Sequence, residues 1–368
     1  MDHYLEYNDK HQLHDITVYS VHHPAVWQHP ALQSTVNHYV FVDTNSTTAK
    51  LRKFLHGKLH KHTYYHYSMD FFFQQVLSML KKSHYDCIVL ENRPGYALQL
   101  HDAVDAKLVY HLHNDFLNSH TKQGSAIYQA ATKILTVSDY IKGRVLTCNA
   151  DDQKTMTVHN GIDLTAFEVQ PTITRQQMGY TDEDVVLAFS GRLVKEKGIM
   201  ELIEAMNLLK DEPHLKLMVM GSSFFENAAT DDPFITKLKA RAKDIGDRIR
   251  FTGYVKHELM PDYLRLADIA VIPSTWDDPF PTTVLEGMAA ALPLITTNRG
   301  GIPEMVTAEN AIVVPFPGDF VQQLAQAILT LAHHKELRLT MGQASKRLSQ
   351  QYTKEQYAQN FFEAIASL

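Results

Sequence analysis

The sequence predicts an α/β protein built from two Rossmann-like domains, and three observations carry that prediction. Its 368 residues are too many for one ordinary hydrophobic core and suit two. Short β-branched runs alternate with helical periodicity nearly from end to end. The runs are continuously apolar rather than alternating, as strands are when helices cover both faces of a parallel sheet.

The predicted strands of the first half are Asp15–Ser20, Tyr39–Asp43, Cys87–Glu91, Leu108–Leu112 and Ile134–Ser138, with a helix over Phe71–Lys82 between the second and third. The second half repeats the arrangement with Val185–Gly191, Leu215–Gly221, Ile249–Thr252, Ile269–Pro273 and Leu292–Thr296. Phe167–Thr174 reads as the linker, so the domains are expected over 1–170 and 171–353. The last helix, 354–368, places Tyr357, Phe361, Ile365 and Leu368 on one stripe that must be buried. It is expected to join the first domain.

Composition narrows the function classes. Hydrophobic residues make up 45% of the chain and charged residues 21%, the balance of a folded globular protein. A net charge of −6 argues against nucleic acid as a partner. Cys87 and Cys148 form no CxxC pair, so neither a disulfide framework nor a zinc site is indicated, and a reducing cytoplasm is expected. No run of about 18 apolar residues would span a bilayer, and the first residues lack the pattern of a leader peptide. The stretch 49–67 holds Lys50, Arg52, Lys53, Lys58 and Lys61, aromatics and no acid. It suits peripheral contact with an anionic membrane at the inner face of the cell. Asp182-Glu183-Asp184 has the D-x-D spacing of a metal motif but precedes a strand in a turn-like context, which speaks against a metal role. His111 and His113 alternate at a strand end without a third ligand at a telling spacing, and no metal is expected.

Two stretches carry chemistry. In WDDPFPTTVLE (Trp276–Glu286), strand Ile269–Pro273 runs into a loop bearing Asp277 and Asp278, and a helix begins near Pro281-Thr282-Thr283. Proline fits a helix's first turn and threonine its cap. The free amides of a helix start make a phosphate site. Glu286 falls one turn in, within reach of a ribose diol, and Asp278 could accept from sugar hydroxyls. In SGRLVKEKG (Ser190–Gly198), Gly191 allows a tight turn at the carboxyl edge of a strand, where ligands of open α/β sheets bind. Arg192 and Lys197 add two cations suited to a diphosphate leaving group. No G-x-G-x-x-G follows a strand, which excludes a dehydrogenase reading.

The order SGRLVKEKG, acid-x7-Glu (Asp278 to Glu286) and GGIPE (Gly300–Glu304) resembles the retaining glycosyltransferases of family 4. YHLHND around His113, Thr136-Val137-Ser138 and the His159-Asn160-Gly161-Ile162-Asp163 turn agree with it. The resemblance covers residues 85–368 well and the first 80 loosely. It implies the GT-B fold, two Rossmann-like domains facing across a cleft, and metal-independent transfer of a sugar from a nucleotide-diphosphate sugar, UDP-sugars favoured, with no cofactor. The acceptor would be the hydroxyl of a glycan, a lipid-linked glycan or a surface polysaccharide. Arg192 and Lys197 would neutralise the diphosphate, and Glu286 would bind the ribose. Asp278 would contact the sugar, and amides around Phe280, Pro281, Thr282 and Thr283 would touch sugar or phosphate. His113 would sit near the sugar's distal hydroxyl, while Gly191, Gly221 and Val255 would shape the nucleotide site.

Two departures from the family pattern stand out. Asp278 replaces the usual glutamate, which is one methylene longer, and neighbouring Asp277 could contribute. The family's opening strand and Gly-Gly loop have no counterpart before Asp15–Ser20, so the N-terminal domain is expected to lack its first strand. A catalytically weak sugar-nucleotide-binding subunit that supports a partner enzyme is therefore the alternative to an active transferase, and a protein partner or oligomer the corresponding expectation.

Overall fold

The structure, a computed structural model, describes residues 2–24, 26, 30–50, 52–53, 67–222 and 232–368. It divides into two compact units. One comprises Met1–Thr136, Lys142–Val158 and Tyr357–Leu368; the other comprises Val137–Ile141 and His159–Gln356.

Every strand pair is parallel, as continuously apolar strands require. In the first unit, β1 (Ile16–Val21) pairs with β2 (Asn37–Val42). A separate four-stranded sheet runs β3 (Cys87–Glu91), β4 (Lys107–Leu112), β5 (Lys133–Thr136) and β6 (Thr155–Thr157). The expectation of a domain short of one strand thus meets a sheet divided in two, with β1 and β3 each bearing one edge unpaired among the described residues. The opening helix, Asp2–His11, is tied to β2 by buried amides. Asn8 donates to the Asn37 side chain at 2.8 Å, and Asn37 donates to the Leu5 carbonyl at 2.9 Å.

The stripe on the C-terminal helix, Lys354–Ala366, is buried in this unit. Tyr357 and Phe361 pack with Tyr4 and Leu5 over Val109 and Leu135, with Ile365 and Leu368 at the margin. Tyr4 and Phe361 stack almost flat, centroids 4.1 Å apart and planes 5° from parallel. Aromatic rings supply more buried apolar area per residue than aliphatic ones, which suits a unit with a divided sheet.

The second unit holds one six-stranded sheet in the order β12-β11-β10-β7-β8-β9. These are β7 (Val185–Ser190), β8 (Leu215–Met220), β9 (Ile249–Gly253), β10 (Ile269–Ile272), β11 (Leu294–Thr297) and β12 (Ala311–Val314). The chain winds outward from β7 in one direction, then returns and winds outward from β10 in the other. The reversal lies between β7 and β10, the place in an open α/β sheet where ligands bind at the carboxyl edge. Leu187, Phe189, Leu217, Val219, Ile269 and Val271 form the inner core beneath that edge and hold it rigid. β6, three residues long, and β12, four, are absent from the sequence prediction.

Candidate nucleotide-sugar site

Three strand ends are drawn together at the edge of the second unit. The Gly191 amide donates to the Met220 carbonyl at 3.0 Å, and the Gly221 amide donates to the Gly253 carbonyl at 2.9 Å. Gly221 has φ +151°, and a Cβ there would lie 1.9 Å from the Gly191 oxygen. Only glycine allows that approach. Arg192 follows on the surface and makes no ion pair among the described residues. Lys197 ends a short 3-10 turn, Lys195–Lys197, just before the helix Ile199–Leu208.

β10 delivers the second loop. The Lys197 ammonium lies 2.5 Å from the Asp278 carboxylate and 5.8 Å from the centroid of Trp276. The loop is pinned from behind. Asp277 pairs with Arg299 at 3.0 Å, and the Gly301 amide donates to the Asp278 carbonyl at 2.8 Å. Gly300 has φ +57°, and a Cβ there would fall 2.2 Å from that same carbonyl oxygen. The glycines of GGIPE therefore set the position of Asp278, and Asp277 serves as a strut in this arrangement.

The helix Thr282–Ala289 begins next. Its N-cap is Pro281, without a side-chain cap, where the sequence suggested proline inside the first turn and threonine as the cap. The result leaves first-turn amides without a side-chain partner, the state in which a helix start receives an anion. Phe280 is buried and stacks on His159 at 4.9 Å, so its backbone alone could serve a ligand. Glu286 is 5% exposed. Its Oε2 has no partner among the described residues, and its Oε1 lies 3.8 Å from His257 Nδ1. Burial pushes the Glu286 carboxyl above its ordinary range, with His257 pulling the other way.

A cavity of about 240 Å³ opens among these parts. Gly191, Arg192, Gly221, Val255, Thr283 and Glu286, all singled out in the sequence, line it. Met220, Ser222, His257 and Met260 also line it and were not singled out, because nothing in their spacing marks them. Lys197 and Asp278 stand together beside the loop, and Phe280, Pro281 and Thr282 lead into the helix start. A guanidinium without an ion pair among the described residues, a helix start and a buried carboxylate with one oxygen unpartnered among them make a place for a ligand that has anionic and diol ends.

In the first unit, His113 belongs to a different cluster. Its Nε2 lies 3.2 Å from Glu91 Oε2, and His111 Nδ1 lies 3.1 Å from the same oxygen. The Tyr4 hydroxyl donates to Glu91 Oε1 at 2.7 Å. The donor atoms of Glu91, His111 and His113 all lie within 4.8 Å of one another, so the third group that the sequence did not reveal beside the two histidines is Glu91. Burial pushes Glu91 up, but His111 and His113 hold it well below the usual carboxylate range. Burial pulls His113 below its ordinary value against the opposing hydrogen bond to Glu91.

Other sequence signals are placed plainly. Asp184 of the D-x-D segment is buried and accepts from the Thr181 amide at 2.7 Å, a structural turn. Glu304 of GGIPE accepts from the amides of Asp139 and Tyr140, both at 2.7 Å, fixing the start of the helix Asp139–Leu146. Residue 51 and residues 54–66, which carry Lys58 and Lys61, lie outside the described residues, and so does most of the basic stretch 49–67. Among the described residues no helix is long and apolar enough to cross a membrane.

Comparison with known proteins covers most of the chain. The family described as Glycosyl transferases group 1 matches residues 172–348, and Glycosyltransferase Family 4 matches residues 13–166. Spore coat protein SA of Bacillus subtilis (strain 168) is 29% identical over 299 residues, covering 77% of this chain and 78% of that protein. The putative glycosyltransferase YtcC of the same organism is 29% identical over 317 residues, covering 78% and 77%. The crystal structure of Anabaena HepE aligns over 100% of this chain and 94% of that one, with TM-score 0.75 and 20% identity. A glycosyltransferase from Rickettsia africae aligns over 98% and 92%, with TM-score 0.77 and 16% identity. These two likenesses establish the shared architecture.

Proposed function

The chain belongs to the group 1, family-4 glycosyltransferases of GT-B fold, and from that premise we propose that it transfers a sugar from a nucleotide-diphosphate sugar to a glycan hydroxyl with retention of anomeric configuration. The observation that carries the proposal is the meeting of Arg192, the start of the helix Thr282–Ala289 and the buried Glu286, whose Oε2 has no hydrogen-bond partner among the described residues, on one cavity. Cations and helix amides match a diphosphate, and a carboxylate matches the two hydroxyls of a ribose. The Anabaena HepE structures hold UDP with glucose in one case and UDP-glucose in another, which supports a UDP-sugar as the donor.

In this reading Arg192 and Lys197 stabilise the diphosphate as the bond from C1 to the phosphate oxygen breaks. The acceptor oxygen bonds to C1 on the same face, and its proton passes to the departing phosphate. Asp278 holds a hydroxyl of the donor sugar, and in the first unit His113 is the group suited to a sugar hydroxyl. The charge is met by side chains, so the donor site calls for no metal ion. Relatives include a capsular polysaccharide biosynthesis glycosyltransferase of Staphylococcus aureus, which supports a surface polysaccharide or its lipid-linked precursor as the acceptor. A cytoplasmic site of action, peripheral to the membrane, fits such an acceptor.

The test is proton NMR of the purified chain with UDP-glucose and a panel of glycan acceptors. The expected result is UDP release together with a product that keeps the donor's anomeric configuration. An inverted product would rule out retention, and turnover of GDP-glucose or ADP-glucose offered in parallel, with UDP-glucose left intact, would rule out the UDP-sugar assignment.

A further inference from the structure

Glu91 closes β3 and stands directly opposite His111 of β4 in the parallel register. His113, two residues on, falls on the same face, and the two imidazole centroids are 4.2 Å apart. Asn92 fixes the backbone here, its Oδ1 accepting from the His113 amide at 3.1 Å. One carboxylate thus faces three polar groups, one from the first helix and two from the end of β4: the Tyr4 hydroxyl at 2.7 Å, His111 Nδ1 at 3.1 Å and His113 Nε2 at 3.2 Å. Tyr357 of the C-terminal helix packs near His111, 6.1 Å away by ring centroids.

An ionised carboxylate offers acceptors only. Each nitrogen that faces it must therefore carry a hydrogen. Glu91 stays ionised at neutral pH because the histidines outweigh its burial, and burial keeps His113 neutral. A neutral imidazole bears one hydrogen, so a hydrogen on Nε2 leaves Nδ1 bare. His111 Nδ1 also faces Glu91, and its buried Nε2 has no partner among the described residues.

We propose that Glu91 is a positioning residue that holds His113 in the tautomer with Nε2–H and a bare Nδ1, presenting the sugar with a fixed hydrogen-bond acceptor. The inference rests on the reading of His113 as a sugar-binding group. Its chemistry is specific: a hydroxyl that meets this nitrogen must donate. Tyr4 and His111 keep the carboxylate in place, so a rotation of Glu91 breaks three contacts together. A sugar that lacks the hydroxyl in question forfeits that bond, and His113 discriminates against it.

The experiment is long-range nitrogen-15 NMR of the histidine-labelled full chain, assigned with His113→Ala and read beside kinetics of Glu91→Gln, Glu91→Asp and the Glu91→Gln/His113→Ala double variant. The expected spectrum has His113 protonated on Nε2 alone, with that signature lost in Glu91→Gln and retained in Glu91→Asp. Turnover by Glu91→Gln falls roughly tenfold or more, the scale of a misplaced contact, while the KM for the donor nucleotide stays within about twofold. The acid limb of its kcat profile moves to lower pH, because the carboxylate that favoured protonation of His113 is gone. The double variant loses no more than His113→Ala alone.

A parent spectrum with Nδ1 protonated would overturn the proposal, as would fully additive losses in the double variant. A parent spectrum that shifts stoichiometrically on adding Zn²⁺ would overturn it as well, since the three groups would then hold a cation. Full turnover by His113→Ala, with the predicted spectrum intact in the parent, would instead remove the sugar-binding reading on which the proposal rests.

Discussion

Lys197 and Asp278, 81 positions apart in sequence, form an ion pair of 2.5 Å at the carboxyl edge of two adjacent strands. The Asp278 side chain is 7% exposed and the Lys197 side chain 20%. In the proposed cycle the two serve neighbouring parts of one donor, the lysine its diphosphate and the aspartate its sugar. Without ligand each neutralises the other, so neither charge stands bare in a partly dry site.

That pairing separates their roles by experiment. Asp278→Asn frees the ammonium for phosphate and removes a sugar contact. The affinity for UDP should hold or improve, while turnover of the UDP-sugar falls by about tenfold or more, the scale of a lost charged hydrogen bond. Calorimetry and kinetics on one preparation check both. Parallel losses in the two would place Asp278 on the phosphate side.

Arg192 gives the cleaner test of the diphosphate role, because its exposed side chain makes no ion pair among the described residues that folding would miss. Arg192→Ala should weaken UDP binding by about 1.5–3 kcal/mol and leave the melting temperature within a degree or two. A melting shift without a loss of affinity would make Arg192 a structural residue.

The buried carboxyl of Glu286 predicts a pH dependence. Its folded-state pKa is raised by burial, with His257 opposing. The ionised form, which can accept from two ribose hydroxyls, is therefore lost as pH falls, at a pH above the ordinary glutamate value of about 4.3. UDP affinity of the parent should drop on acidification through that window. The β-phosphate also titrates, near pH 6 by analogy with phosphate esters. Glu286→Gln supplies the control: the parent-to-variant affinity ratio should shrink as pH falls. A ratio independent of pH would deny the carboxylate its role.

What could be read from sequence was what is local. The continuously apolar strands, the glycine and cations after β7, and the acid-x7-Glu spacing each lie within one stretch of chain. Arg192, Asp278 and Glu286 could therefore be selected before any coordinates. Glu91 could not, since its partners lie 20, 22 and 87 positions away and meet it only through the register of β3 on β4 and the packing of the first helix. The cap at Pro281 was displaced by one residue for a similar reason, as helix starts depend on the loop that delivers them. β6 was missed because three residues carry no readable period, whereas β12, as long as β10 and β11, was simply not singled out. Glu304 was legible as part of a motif, but its bonds to the Asp139 and Tyr140 amides needed the folded chain.

The Tyr4–Phe361 stack makes the C-terminal helix part of the first unit's core. Phe361 is 2% exposed, so Phe361→Ala should destabilise that unit by about 3–5 kcal/mol. In denaturant unfolding, UDP binding reports the second unit, and global circular dichroism reports both. The variant should lose its first circular dichroism transition at lower denaturant than it loses UDP binding. Coincident loss of both signals, at an unchanged midpoint, would show that the helix adds little to the core.

The central claim is that the second unit's carboxyl edge is a site for a nucleotide-diphosphate sugar, and calorimetric titration with UDP, GDP and ADP in metal-free buffer tests it most directly. Saturable, one-to-one binding of UDP at micromolar concentration, about −8 kcal/mol, is expected, with weaker binding of the other two and weakened UDP binding in Arg192→Ala and Glu286→Ala. Absence of binding to all three nucleotides, or UDP binding indifferent to both substitutions, would contradict it.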